Sequence, residues 1–170
     1  QREETVYRVF SDGTVELLHS ASTRRKKPIR IGLQGTLTKG FETVEWVGRG
    51  PEENYLDRKS GSPLGRYRRS IAALEHPYMR PQENGARCEM ETLLLEGAGK
   101  RFFVERLSDS LQFSAWNYSQ RALDDAEHQH ELTREPETTL SLDGAMRGVG
   151  GDLPGVLELH PPYELKANTE

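Results

Sequence analysis

EWVGRGPEENYLDRKSGSPLGRY, residues 45–67, is the stretch around which the rest of the chain is organised. It begins as a strand that ends at Trp46 and Val47, and it continues as a long loop rich in glycine and proline. Loops of this length within a compact domain are usually either functional or disordered. Aromatic rings supply apolar area here, and acidic, amide and basic side chains can bond to nearby backbone. We therefore predict an ordered, functional loop with a sheet built around it.

The composition indicates a chain that buries part of its surface against other sequence. Its 170 residues correspond to about one domain, so we treat residues 1–170 as a single domain. Only 34% of the residues are hydrophobic and the mean hydropathy is −0.76, which are low values for a free-standing domain. The chain starts at Gln1 rather than at methionine, so we expect its N-terminus to be a cut.

Charge and apolar patterning argue against two classes of partner. The net charge is −4, and the one basic run, residues 24–27, precedes Pro28 in a turn. This run is not the extended basic footprint that nucleic-acid binding needs. No apolar run is long enough to cross a bilayer. We therefore expect neither nucleic acid nor a membrane as a partner.

The single cysteine, Cys88, excludes an internal disulfide and fits a reducing, cytoplasmic compartment. It falls in a stretch of alternating polarity and has no histidine beside it. A structural, buried or half-buried thiol is therefore favoured over a nucleophile.

Periodicity and turn residues predict an all-β fold of about ten short strands with almost no helix. Ser119 caps the one credible helix, residues 119–126, and residues 71–74 are long enough for a single helical turn. Such a pattern is typical of a sandwich of antiparallel sheets with large loops at one edge. The predicted strands are residues 3–10, 14–20, 29–38, 41–47, 88–95, 101–107, 111–116, 138–143 and 156–166.

Paired carboxylates are the first candidates for chemistry, because glycoside hydrolysis uses two carboxylates about 5 to 9 Å apart. Glu89 and Glu91 would share one face of the predicted strand 88–95, about 7 Å apart. A solvated outer face is the favoured interpretation of that pair. The adjacent Glu52 and Glu53 form a second candidate pair.

Glu53 and Glu83 lie in loops rich in glycine and proline, beside Asn54 and Asn84. Each of these carboxylates could bind a sugar or brace its loop, and bracing is favoured.

Histidines give a second set of candidates. On a strand, His128 and His130 would point the same way and could bind zinc, but zinc needs a third protein ligand and none lies nearby in sequence. A structural role is favoured. With His76 and Glu83, these two residues are the one set available for acid–base work on a sugar ring.

The glycine-rich stretch 147–155 resembles a phosphate-binding loop, but it lacks the G-K-[ST] ending and does not open a helix. Its glycines allow the backbone to approach a ligand or another domain closely. Asp152 could accept hydrogen bonds from hydroxyl groups. The alternative is a tight connection between two strands.

Four motifs in this order carry a resemblance to a known family. They are VEWVGRGPEENYLDR (44–58), PYMRPQENGAR (77–87), WNYSQRALDDAEHQHEL (116–132) and LDGAMRGVGGD (142–152). The chain resembles, over residues 5–166, the C-terminal domain of β-galactosidases of glycoside hydrolase family 2, also found as a separate small subunit. The resemblance implies a galactose-mutarotase-like β-supersandwich that is incomplete at its N-terminus.

The resemblance also implies where the chemistry lies. The catalytic glutamates of such enzymes belong to a TIM barrel elsewhere, so this chain is expected to contain no catalytic residue, no metal site and no cofactor. Any magnesium or sodium ions belong to the catalytic domain. Its expected partners are the rest of the polypeptide or a large subunit, a β-galactoside substrate and further copies in a homo-oligomer.

This domain forms a wall of the active-site mouth in the family, which implies two groups of site residues. The aglycone side is assigned to Gly150, Gly151, Asp152 and Leu153. A tryptophan that usually follows this motif is absent here, so either the natural aglycone is not the glucose of lactose or another residue fills the space. The family-motif loops contribute Gly50, Pro51, Glu53, Asn54, Tyr55, Asp57, Arg58, Glu83, Asn84 and Gly85.

Two other functions stay open at this point. A stand-alone carbohydrate-binding module would use Trp46, Tyr55, Tyr78 and Trp116 as stacking rings. An aldose-1-epimerase-like enzyme would use histidine and glutamate.

Overall fold

Ten β-strands dominate the computed structural model, which describes residues 2–22, 27–107, 110–151 and 159–165. One α-helix, α1 (Gln120–Asp125), and three 3-10 turns, Ile71–Ala73, Gln129–Glu131 and Pro161–Tyr163, complete the described elements. No helix in these ranges is both long and apolar enough to cross a membrane. The strands are β1 (Arg2–Val9), β2 (Val15–Ser22), β3 (Arg30–Leu37), β4 (Thr43–Arg49), β5 (Leu64–Ser70), β6 (Arg87–Met90), β7 (Thr92–Gly97), β8 (Lys100–Glu105), β9 (Leu111–Trp116) and β10 (Thr138–Met146).

Every pairing between the described strands is antiparallel, and these strands form two four-stranded sheets and one hairpin. One sheet has the order β3-β10-β9-β6 and the other β5-β4-β7-β8, and within the described residues β1 pairs only with β2. A shared apolar core joins the two larger sheets. In that core the rings of Trp46 and Phe113 meet edge to face, with centroids 5.7 Å apart. The predicted all-β sandwich is therefore confirmed, and its specific likeness to galactose mutarotase stays a prediction.

The burial of residues along strand β4 follows the alternating hydrophobic pattern of its sequence. Its buried residues are Val44, Trp46 and Gly48, while the residues between them are half-buried. Successive side chains on a strand point to opposite faces, so this alternation directs one face into the core. Helix α1 likewise begins as predicted, because the Ser119 hydroxyl accepts a hydrogen bond from the Ala122 amide at 3.2 Å.

The end of the organising stretch, from Leu64 onward, is a strand and not a loop. Strand β5 pairs with β4 along its whole length, including Trp46 opposite Tyr67. It is an edge strand whose exposed arginines reach across to its neighbour: Arg66 Nε lies 2.8 Å from Glu45 Oε1. Gly65 and Pro63 at its start gave the appearance of a continuous loop.

The prediction of one strand over residues 88–95 was wrong. The segment divides at Glu91 into β6 and β7, which belong to different sheets. Glu89 has a positive φ of 54°, so the backbone turns there. Glu89 and Glu91 therefore do not share a strand face, and the proposed carboxylate pair does not exist.

Two further segments do not form strands. The strand geometry considered for His128 and His130 as zinc ligands is not present, because Gln129–Glu131 forms a 3-10 turn. The closing strand 156–166 falls partly outside the described residues, and within the described part Pro161–Tyr163 forms another 3-10 turn. Two adjacent prolines remove two backbone donors, which disfavours a strand ladder there.

The β1–β2 hairpin leaves apolar side chains exposed on both of its faces. Val6 and Tyr7 are neighbours and so point to opposite sides, yet they are 40% and 61% exposed. Val9 at the end of β1 is 75% exposed. Soluble proteins rarely expose contiguous apolar surface without a partner for it.

Candidate functional site

Three loops are joined by hydrogen bonds, and they contain the described site residues that the family resemblance assigned. We call them the organising loop (residues 50–63), the proline loop (residues 74–86) and the glycine loop (residues 147–151). They follow β4, the first 3-10 turn and β10, respectively. Backbone amides of the other two loops donate hydrogen bonds to carboxylates of the organising loop.

Glu53 joins the organising loop to the proline loop. Its Oε2 accepts a hydrogen bond from the Gly85 amide at 2.9 Å, and its Oε1 accepts one from the Tyr78 hydroxyl. The Arg58 guanidinium lies 3.9 Å from the same carboxylate. These contacts are those of a loop brace, which was the favoured interpretation of this residue.

Asn54 is fully buried and makes a second hydrogen-bonded connection between the same two loops. Its backbone amide donates to the Ala86 carbonyl at 2.8 Å, and its side-chain Oδ1 accepts from the Cys88 amide at 2.8 Å. The Cys88 thiol lies in the same buried layer, 3.3 Å from Gln112 Oε1. Cys88 is buried, as predicted, and burial raises the pKa of its thiol to about 12.

Asn84 organises the proline loop from within. Its Oδ1 accepts a hydrogen bond from the His76 amide at 3.1 Å, and its Nδ2 donates to the Gln82 carbonyl at 2.9 Å. Its own carbonyl accepts from the indole nitrogen of Trp116 at 3.1 Å. A buried amide so fully paired fixes backbone rather than meeting a ligand.

Arg87 is a buried residue that the sequence reasoning missed. Its guanidinium donates to three carbonyl oxygens, those of Leu74 at 2.9 Å, Gly85 at 2.6 Å and Pro51 at 3.0 Å. It also lies over the Trp46 ring, 5.6 Å from the centroid. Burial lowers the pKa of Arg87 to about 10. An arginine two positions after the Asn84-Gly85 turn was the available signal for this role.

Tyr55 is the buried aromatic residue of the organising loop and is 1% exposed. Its backbone bonds to Arg58 in both directions, and the Arg58 guanidinium lies 5.4 Å from the centre of its ring. Burial raises the pKa of the Tyr55 hydroxyl, which has no hydrogen-bond partner among the described residues.

Asp57 joins the organising loop to the glycine loop. Its Oδ1 accepts a hydrogen bond from the Val149 amide at 3.1 Å, and its Oδ2 accepts one from the Gly150 amide at 2.7 Å. Gly150 and Gly151 have φ values of 72° and 91°, a region that favours glycine. The predicted site residues Asp152 and Leu153 lie outside the described residues.

A partly buried chain of three charged residues starts in the proline loop. Arg30 lies between two carboxylates: its Nη2 is 3.1 Å from Glu83 Oε1, and its Nε is 3.0 Å from Asp143 Oδ1. Asp143 is 2% exposed, and its Oδ2 has no hydrogen-bond partner among the described residues. Burial raises the pKa of Asp143 to about 7 against the opposing effect of Arg30, and burial also raises the pKa of Glu83. Asp143, between apolar positions of β10, was not singled out from the sequence.

The remaining candidate carboxylates do not form a catalytic pair. Glu89 is held by Arg49 Nε at 2.7 Å and by the ammonium of Lys59. The Lys59 hydrogen bond is the main cause that lowers the pKa of Glu89. The Glu52 side chain is 79% exposed and meets only Arg69, at 3.4 Å, among the described contacts.

The histidines form contacts of a structural kind. The rings of His128 and His130 stack with centroids 5.5 Å apart, and His128 Nδ1 lies 2.8 Å from Glu131 Oε1. The His76 ring packs against Tyr78, with centroids 4.3 Å apart. Within the described ranges, no group of three histidine, cysteine or acidic side chains is arranged to hold a metal ion.

The aromatic rings do not form a sugar-binding platform. Three of the four candidate rings, those of Trp46, Tyr55 and Trp116, are each 1% exposed. A stacking platform needs an accessible ring face, so this geometry contradicts the stand-alone carbohydrate-binding module.

Comparisons with known proteins agree with the motifs. A family model described as "Beta galactosidase small chain" matches residues 2–170. Beta-galactosidase 2 of Enterobacter cloacae is 43% identical over 126 residues, which cover 74% of this chain and 12% of the relative. The beta-galactosidase of Vibrio cholerae is 38% identical over 161 residues, which cover 94% of this chain and 15% of the relative. That of Priestia megaterium is 30% identical over 164 residues, which cover 95% of this chain and 16% of the relative. The chain therefore spans a small part of the length of these relatives.

Proposed function

This chain belongs to the β-galactosidase small-chain family, and from that premise we propose that it is a non-catalytic part of an enzyme that hydrolyses terminal β-D-galactosides. The relatives are named beta-galactosidases, and the chain corresponds to only 12% to 16% of their length. The catalytic glutamates of a retaining mechanism then lie in the remainder of the polypeptide or in a large subunit.

The non-catalytic role is supported by the pairing and burial of the carboxylates in the three loops and beside them. Glycoside cleavage needs a carboxylic acid and a second carboxylate that both reach the scissile bond. Glu53 is committed to Gly85 and Tyr78, and Asp57 to the glycine loop. Glu83 is paired with Arg30, and Asp143, despite its raised pKa, is too deeply buried to touch a sugar.

The chain contributes to the enzyme by shaping the entrance to the active site. The three braced loops form one wall of the active-site mouth, and the glycine loop with Asp152 and Leu153 borders the aglycone. The exposed faces of the β1–β2 hairpin are covered by the rest of the polypeptide or by another subunit of a cytoplasmic homo-oligomer. Magnesium and sodium, where the enzyme uses them, bind in the catalytic domain.

Two assays test this proposal. The full-length polypeptide is expected to release nitrophenol from 4-nitrophenyl β-galactoside, and to give the β-anomer of galactose first, as seen by proton NMR. The isolated chain is expected to release none. Turnover by the isolated chain would refute the non-catalytic role. Failure of the full-length polypeptide to cleave any β-galactoside would refute the enzyme assignment.

A further inference from the structure

The amides of the glycine loop already hold an anion, and that anion is a side chain of this protein. Successive backbone N–H groups beside residues of positive φ form a concave nest that binds anions. Here the Val149 and Gly150 amides both point to the Asp57 carboxylate, at 3.1 and 2.7 Å. This internal ligand explains why the stretch resembles a phosphate-binding loop without being one.

Gly148 completes the fit between the carboxylate and the nest. A Cβ atom at this position would lie 2.5 Å from Asp57 Oδ2 and 2.6 Å from its Cγ. Non-bonded atoms do not approach so closely, so any larger residue would displace the carboxylate. Gly148 itself is buried, and its amide donates to the Tyr163 carbonyl at 2.9 Å, so the loop has little freedom to move aside.

We infer that Asp57 is a positioning residue, whose carboxylate sets the conformation of the glycine loop and, through it, the aglycone selectivity of the enzyme. The second part of this inference rests on the proposed function, which places the glycine loop beside the aglycone. Asp57 does not touch the substrate. It acts by fixing two amides that would otherwise bond to water.

The chemistry of the contact distinguishes the available substitutions. Asp57→Ala removes both acceptors. Asp57→Asn keeps one acceptor but turns an NH₂ donor toward the second amide, so it repairs the contact only in part. Gly148→Ala perturbs the same contact from the opposite side. Asp57→Ala and Gly148→Ala should therefore change the enzyme in the same direction, and Asp57→Asn should be intermediate.

The test uses the full-length polypeptide with these three variants, and with Asp125→Ala as the control for loss of an exposed aspartate. Hydrogen exchange at the Val149 and Gly150 amides reports the positioning role directly. It is expected to accelerate about tenfold or more in Asp57→Ala, because each amide loses a charged acceptor. The ratio of kcat/KM for lactose to kcat/KM for 4-nitrophenyl β-galactoside reports aglycone selectivity, and a change of about tenfold is expected.

The two readouts separate the possible failures. Unchanged exchange in a folded variant would overturn the positioning role of Asp57. Faster exchange with an unchanged kcat/KM ratio would keep that role and contradict the proposed place of the glycine loop at the aglycone. Equal losses on both substrates, matched by a smaller folded fraction, would indicate a purely structural role. If Asp57→Ala does not fold, Asp57→Asn carries both measurements.

Discussion

Glu53 Oε2 lies 2.9 Å from the backbone nitrogen of Gly85, a residue 32 positions further along the chain. This bond makes the organising loop and the proline loop a single unit, although a strand and a 3-10 turn separate them in sequence. Asp57, four residues after Glu53, makes the corresponding connection to the glycine loop. Glu53, which the sequence offered as a sugar-binding residue, and Asp57, a family-motif residue, therefore both act as braces.

Loss of the Glu53 brace should destabilise the protein. Glu53→Ala leaves the buried Gly85 amide without its acceptor, so we expect the free energy of unfolding to fall by about 1–3 kcal/mol. Urea unfolding of the full-length polypeptide measures this change. The matched control is Glu52→Ala at the exposed neighbouring position, where a change within about 0.5 kcal/mol is expected. Equal effects of the two substitutions would contradict the brace.

Asp143 should make stability depend on pH. Its pKa is about 7 in the folded chain, against an ordinary value of 3.8 for an aspartate in water, so between these values the folded state holds a proton that the unfolded state has lost. The free energy of unfolding therefore falls as the pH rises from about 4 to about 7, by at most about 1.4 kcal/mol per pH unit from this group.

Asp143→Asn removes that titration. The Tm of this variant minus the Tm of the unmodified protein should be more positive at pH 8 than at pH 5. The exposed Asp125→Asn provides the control. The same difference at both pH values would show that Asp143 does not titrate in this range.

Cys88 should be chemically inert in the folded protein. Its thiol is buried and its pKa is about 12, so very little thiolate is present near neutral pH. The thiol reagent 5,5′-dithiobis(2-nitrobenzoate) at pH 8 should leave Cys88 unmodified in the native protein and react with it after denaturation in urea. Rapid reaction of Cys88 in the native state would contradict the described packing around Asn54 and Gln112.

The β1–β2 hairpin should be covered in the full-length polypeptide. Val9 is 75% exposed in this chain, so a cysteine placed there would react freely with a maleimide unless other sequence packs over it. We expect Val9→Cys to react at least about tenfold more slowly than Glu135→Cys, at an exposed position outside the three loops. Equal labelling rates would show that the hairpin stays uncovered.

The sequence was informative where the physics is local. Alternating burial along β4 and the Ser119 cap of α1 depend on neighbouring residues, and both are visible as patterns. Strand β5 was missed because its exposed arginines are explained by acidic partners elsewhere in the chain, such as Glu45 on the adjacent strand. The break at Glu91 was missed because a change of sheet is a tertiary event.

The candidate site was predictable to the level of its loops but not of its contacts. The family motifs identified Glu53, Asn54 and Asp57, yet their partners lie 32, 34 and 93 residues away. Arg87 and Asp143 were missed for a related reason. Their importance comes from burial beside groups far apart in sequence, and a charged residue on a strand does not reveal its own burial.

The central claim is that the carboxylates of the three loops brace the structure and do not cleave the substrate. The most direct test is kcat for 4-nitrophenyl β-galactoside, per folded molecule, in the full-length Glu53→Gln, Glu83→Gln double variant. A value within about tenfold of the unmodified enzyme is predicted. A loss of about a hundredfold or more, which is the size expected when an acid–base group is removed, would contradict the account.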